Sequence, residues 1–128
     1  TLDAYFSRHP PRYSLDFIKI DVEGYENEVL AGAIPLLRRD YPVILCEIEK
    51  RHNPAYRDVF RILGTIGYHG CYYDADMLHP ATADTLDRLQ ASRLSGYVYN
   101  FFFYHVQSRI HLRLNQKQSP SGLVSIAR

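Results

Sequence analysis

The chain has 128 residues, a formal net charge of +1 and an apolar fraction of 46%. This length accommodates one domain with a hydrophobic core but not two ordinary domains. A net charge this close to zero gives no broad attraction to nucleic acid or anionic membrane, so neither is predicted as a partner. No apolar run reaches the roughly 20 residues that a membrane-spanning helix needs, and we predict a cytoplasmic protein.

The first predicted elements are a short helix and a strand. Thr1 or Asp3 can cap a helix over the first six residues. The chain enters this patterned segment at once and without an initiator methionine, so we expect an amino-terminal half to precede it. Residues 15–22 are rich in Ile and Val, which predicts a strand that is buried on both faces.

Two carboxylates follow this strand, at Asp21 and Glu23, and Gly24 then permits a sharp turn. In open α/β sheets, ligands and catalytic groups gather beyond the carboxyl ends of the strands. The sequence therefore places Asp21 and Glu23 where chemistry is usually done. A helix is predicted over residues 25–32, and Glu26 in its first turn is interpreted as complementing the positive helix end.

A second apolar strand, residues 43–49, repeats this pattern and carries Glu47 near its end. A short helical turn over residues 35–39 precedes it. Two such strands joined by a helix form a right-handed parallel βαβ unit, which brings both acidic ends to one edge of the sheet. His52 lies in the loop that follows the second strand.

The rest of the chain is predicted as two helices, two strands and a tail. The helices cover residues 55–66 and 82–91, and the strands cover residues 68–73 and 97–106. The second of these strands is strongly aromatic, and we expect it to pair antiparallel with the first. Residues past 115 are polar and predicted to be disordered.

Cysteine and histidine spacing gives no metal motif. Cys46 and Cys71 each lie in an apolar segment without a CxxC pattern, which favours two buried reduced thiols over a disulfide. The histidines other than His52 share no spacing that would define a metal site, and no metal ligand is predicted among them.

Several motifs together resemble the FkbM family of S-adenosylmethionine-dependent methyltransferases. They are TLDAY at the start, IKIDVEGYENEVLAGA at residues 18–33, PVILCEIE at residues 42–49, the Gly67–Tyr68 pair and NFFF at residues 100–103. The resemblance covers roughly residues 1–106, and its acidic blocks are more specific than a lone glycine motif.

This resemblance implies an α/β fold, a Rossmann-like class I methyltransferase sheet that is mostly parallel with a reversed last strand. Residues 1–108 would be the carboxy-terminal portion of the domain, and residues 109–128 a disordered tail. The first half of the domain, with the glycine-rich loop that receives the methionine part of the cofactor, is absent from these residues.

The implied activity is S-adenosylmethionine-dependent O-methylation of a hydroxyl on a sugar, glycolipid or polyketide-like acceptor. Asp21 is predicted to be catalytic and to lie near the cofactor, with Glu23 and Glu47 binding the acceptor substrate. His52 is the second catalytic candidate because its ordinary pKa suits proton transfer. Glu47 could instead pair with Lys19 or Lys50, and His52 could be a solvated loop residue.

Two other classes of function remain open. The carboxylates could bind Mg²⁺ for hydrolysis or phosphoryl transfer, since hard cations prefer oxygen ligands. The chain could also be a truncated, non-catalytic module for packing or oligomerisation, and a homo-oligomeric state is left open.

Overall fold

A computed structural model describes residues 1–91 and 97–110. The helices are α1 (Leu2–Arg8), α2 (Glu26–Ala31), α3 (Ile34–Asp40), α4 (Tyr56–Thr65) and α5 (Ala83–Leu89). The strands are β1 (Phe17–Ile20), β2 (Val43–Glu47), β3 (His69–Asp74), β4 (Met77–Ala81) and β5 (Asn100–Tyr104). Thr1 caps α1 as predicted, since its hydroxyl accepts the Ala4 N–H at 3.1 Å.

The five strands form one sheet in the order β1-β2-β5-β3-β4. The adjacent strands β1 and β2 are parallel, as the predicted βαβ unit requires. The last strand, β5, is antiparallel to both of its neighbours, which confirms a reversed strand and its antiparallel pairing with β3.

The prediction of a mostly parallel sheet is wrong for the described residues, because only the β1–β2 pair is parallel. The physical reason is the position of β5: it lies between β2 and β3 and so makes two antiparallel pairs. A hairpin between β3 and β4 adds a third antiparallel pair, and β4 was not predicted.

One face of the sheet carries the hydrophobic core. Ile44 and Cys46 of β2 lie opposite Phe103 and Phe101 of β5, and all four are buried. Helices α2 to α5 cover this face with the buried apolar side chains Leu30, Leu37, Val59, Leu63 and Leu86. Cys46 and Cys71 are both buried, as predicted, and neither forms a disulfide in this structure.

The opposite face borders an open groove of about 1800 Å³. Leu45 and Phe102, which lie opposite each other on β2 and β5, point to this side and are only partly buried. Phe17 on β1 and Leu78 on β4, at the two sheet edges, are 45% and 61% exposed. Within the described residues, the sheet therefore has one covered face and one apolar face that borders this groove.

None of the helices in the described ranges is long and apolar enough to cross a membrane. Of the tail that was predicted to be disordered, residues 111–128 lie outside the described residues.

Candidate active site

The turn after β1 carries the first two predicted site residues, both exposed. Lys19 Nζ bonds Asp21 Oδ2 at 2.7 Å, and this hydrogen bond raises the pKa of Lys19. Glu23 has a φ of 40° and Gly24 a φ of 100°. A residue other than glycine at positive φ is uncommon, and such strain concentrates at functional sites.

Gly24 brings this turn directly against the loop after β2. A Cβ atom added at Gly24 would lie 2.6 Å from the carbonyl oxygen of His52, closer than real Cβ contacts allow. Only glycine permits this approach of the two backbones. The turn that carries Glu23 and the loop that carries His52 are therefore neighbours, as the parallel strands predict.

A buried polar pair also joins these two segments. Asn53 Nδ2 donates to Glu26 Oε2 at 2.6 Å, and both residues are 2% exposed. The Gly24 N–H donates to Glu26 Oε1 at 2.9 Å, and the Ala55 N–H donates to Asn53 Oδ1 at 3.0 Å. Glu26 lies in the first turn of α2 as predicted, but its carboxylate bonds the turn and the neighbouring loop.

Glu47 ends β2 opposite Asn100 and is partly buried. Its pKa is raised, first by desolvation and then by the negative charges of Asp21 and Glu49. These charge interactions place Asp21 and Glu47 in one electrostatic environment. A raised pKa moves a carboxylate toward the neutral range in which general bases work well.

The predicted alternative for Glu47, an ion pair with a lysine, is not found in the described part of the chain. Lys19 bonds Asp21, and Lys50 instead lies 4.0 Å from a carboxylate oxygen of Asp87. Glu47 nevertheless lies close enough to Lys19 for the charge of the lysine to oppose part of the rise in the Glu47 pKa.

A recess of about 200 Å³ lies beyond β2 and is lined by Glu49, Arg51, Tyr97 and Tyr99. Arg51 Nε contacts Glu49 Oε2 at 2.5 Å, and Tyr97 donates to the same oxygen at 3.2 Å. Desolvation opposes the ionisation of Glu49, but the hydrogen bonds from Arg51 and Tyr97, together with the charges of Arg51 and His52, outweigh it and lower the pKa of Glu49. Sequence reasoning missed this recess because Tyr97 is distant in the chain and carries no motif.

The described residues contain no group of three or more His, Cys, Asp or Glu side chains that could hold a metal ion.

A sheet whose parallel strands end in a cluster of carboxylates, with helices packed on its covered face, is typical of α/β enzymes. The family described as the methyltransferase FkbM domain matches residues 1–97. The chain therefore belongs to the FkbM methyltransferase family. Comparison with curated proteins and with solved structures gives no match.

Proposed function

We propose that this chain forms the acceptor side of an S-adenosylmethionine-dependent O-methyltransferase. The observation that carries the proposal is the convergence of Asp21, Glu23 and Glu47 beyond the parallel strands of an FkbM-family chain. His52 lies on the loop that packs against the same turn.

The carboxylates at this edge of the sheet suit one end of the cofactor. S-adenosylmethionine supplies an electrophilic methyl group on a sulfonium, and a positively charged sulfonium is stabilised by nearby carboxylates. Asp21 is the residue we assign to that end, on the exposed turn after β1. No glycine-rich loop for the methionine end occurs in the sequence, so the residues present fit the cofactor only at its reactive end.

The chain's part in the reaction is to orient a hydroxyl and take its proton. We assign removal of the hydroxyl proton to Asp21 or to His52. We assign orientation of the acceptor to Glu23 and Glu47. A well-placed base contributes about 10²–10⁴-fold, and positioning adds to it. The raised pKa of Glu47 also suits it to share the proton that leaves the acceptor.

The acceptor we propose is a sugar, glycolipid or polyketide-like hydroxyl. The recess beside Glu49 supports this class, because Tyr97 and Tyr99 offer aromatic surface next to a carboxylate and a guanidinium. Such a combination recognises ring faces and hydroxyl groups together.

We further propose that residues 1–108 are the later half of a doubly wound methyltransferase sheet. The support is the open groove along the sheet face that carries Leu45 and Phe102, and the edge strand β1, which pairs only with β2 among the described strands. A complete cofactor site would then require chain outside these residues.

The first test is calorimetric titration of S-adenosylhomocysteine into the native protein. Turnover is then measured as the release of S-adenosylhomocysteine, with a panel of methyl glycosides as acceptors. Asp21→Asn should lower kcat by about 10²-fold or more. Asp58→Asn is the matched control: Asp58 is 47% exposed against 41% for Asp21, and it also has one basic partner, Arg61. A native protein that does not bind S-adenosylhomocysteine would exclude the proposed activity.

A further inference from the structure

We infer that Glu26 and Asn53 are positioning residues that lock the strained turn after β1 to the loop after β2. This inference rests on the proposed function for its catalytic consequence, but the lock itself can be measured without turnover. We call the two side chains the Glu26–Asn53 clamp.

The clamp satisfies its buried polar atoms on both sides. Glu26 uses one carboxylate oxygen for the Gly24 N–H and the other for Asn53 Nδ2. Asn53 turns its own oxygen to the Ala55 N–H. Every partner has a defined donor or acceptor role, so the amide of Asn53 can point in only one direction.

A buried carboxylate is costly, which argues against an incidental role for Glu26. None of the ion pairs among the described residues includes Glu26, and its two carboxylate oxygens instead accept hydrogen bonds from Gly24 and Asn53. Helix-end complementation alone needs no burial, and Glu28 in the same turn of α2 is exposed. The hydrogen bond from Asn53 to Glu26, at 2.6 Å, is shorter than most N–H···O hydrogen bonds.

The clamp lies beside the strained backbone. Glu23 and Gly24 both have positive φ, and such conformations persist only where the surrounding structure holds them. Glu26 holds the Gly24 N–H, and Asn53 directly follows His52 in the chain. The clamp therefore fixes the segment that carries Asp21 and Glu23 relative to the segment that carries His52.

The donor and acceptor roles allow a swap experiment in the native protein. Glu26→Gln leaves one oxygen for two donors, so an NH₂ group would face either Asn53 Nδ2 or the Gly24 N–H. Asn53→Asp would bring two carboxylates together. The double variant Glu26→Gln/Asn53→Asp restores one donor facing one acceptor and keeps an acceptor for Ala55. Glu28→Gln is the control, because it makes the same change on the exposed side of α2.

The structural measurement is hydrogen exchange of the Gly24 amide. We expect each single variant to accelerate exchange by about tenfold or more, and the double variant and Glu28→Gln to retain wild-type protection. Unchanged Gly24 exchange in both single variants, or no recovery in the double variant, would overturn the clamp.

The functional measurement is the division between kcat and KM for S-adenosylmethionine, with methyl glycosides as acceptors. Each single variant should lose about 10²-fold in kcat, with recovery in the double variant, because small displacements of reacting groups have effects of that size. Faster Gly24 exchange with unchanged kcat would refute the positioning role while leaving the lock in place. If the wild type shows no turnover, the proposed function fails, and the exchange data still decide the clamp.

Discussion

Gly24 shows how one residue without a side chain can determine a site. Its φ of 100° is disfavoured for other residues, and the carbonyl of His52 occupies the space that a Cβ atom would need. Both constraints act on the same position. The result is a contact between two backbones that brings together candidate residues from two strands.

Replacing Gly24 by alanine should destabilise the protein by about 1–3 kcal/mol, because the left-handed conformation and the contact with His52 would both be strained. Urea denaturation measures this change in the free energy of unfolding. Gly64 is the matched control: it is exposed in α4 with no atom within 4 Å of an added Cβ. Gly64→Ala should stabilise the protein by about 0.5–1 kcal/mol, and equal effects at both positions would contradict this account.

Asp40 gives a prediction about pH. Its carboxylate accepts the Leu15 N–H at 3.0 Å and contacts Arg39 Nη2 at 2.7 Å, so it ties the end of α3 to the chain entering β1. The hydrogen bond from Arg39, followed by the Leu15 N–H, lowers the pKa of Asp40 against the opposing effect of burial. A lowered folded-state pKa contributes stability above the unfolded-state pKa, and this contribution is lost as the pH falls through the folded-state pKa.

Asp40→Asn should therefore lower the free energy of unfolding by about 1–3 kcal/mol at pH 7, and the deficit should shrink as the solution is acidified below about pH 4. Thermal or urea denaturation across that range measures both effects. A deficit that is constant with pH would show that the charge of Asp40 contributes nothing.

The candidate site residues could be predicted from the sequence, whereas the buried side chains that hold their loops in place could not. Asp21, Glu23 and Glu47 were found because carboxylates at strand ends form a local pattern. Asn53 carries no such pattern, since its partner Glu26 lies 27 positions earlier in the chain. A hydrogen bond between residues so far apart in sequence depends on how the two loops pack. Composition and periodicity do not predict that packing.

At the scale of elements, the side chain of Gln90, at the end of α5, connects the segment after β2 to the segment before β5. Gln90 is 5% exposed, and its amide donates to the carbonyls of Ile48 at 2.7 Å and Val98 at 2.8 Å. Its oxygen accepts the Lys50 N–H at 3.0 Å. Gln90 therefore holds the chain after β2 beside the chain that enters β5.

Gln90→Ala should lower the free energy of unfolding by at least about 2 kcal/mol, because backbone groups that were paired would be left without partners in a buried setting. Chemical denaturation measures the loss. Gln107→Ala is the control on an exposed glutamine and should change stability by less than about 0.5 kcal/mol. A Gln90 variant as stable as this control would mean that water replaces the lost bonds.

Strand β4 was missed for reasons that lie in its own sequence. Proline is rare inside sheets, and Pro80 is accommodated here because β4 lies at the edge of the described sheet. The turn before it, Ala75 and Asp76, has positive φ at both residues, as a tight hairpin requires. Asparagine or glycine normally signals such a hairpin, so the polar turn that these residues predict does not by itself indicate a returning strand.

For the whole molecule, the sequence identified the kind of fold but not the balance of strand directions. The apolar runs of β1 and β2 resemble the buried strands of a parallel sheet, and these two strands are indeed parallel. The order of strands in space depends on where β5 inserts, and no local pattern encodes that position. Placing a reversed strand in the interior of the sheet changes two pairings at once.

The central position of β5 also determines when the five described strands can form one sheet. Without residues 100–104, the β1–β2 pair and the β3–β4 hairpin share no strand pairing. During synthesis, domains form as the chain emerges from the ribosome, and pairings distant in sequence are slow. Among the described strands, the growing protein thus carries two pieces of sheet that are not paired with each other until residues 100–104 arrive. Because unpaired strand edges favour aggregation, we expect the described strands to be most prone to aggregate in that interval.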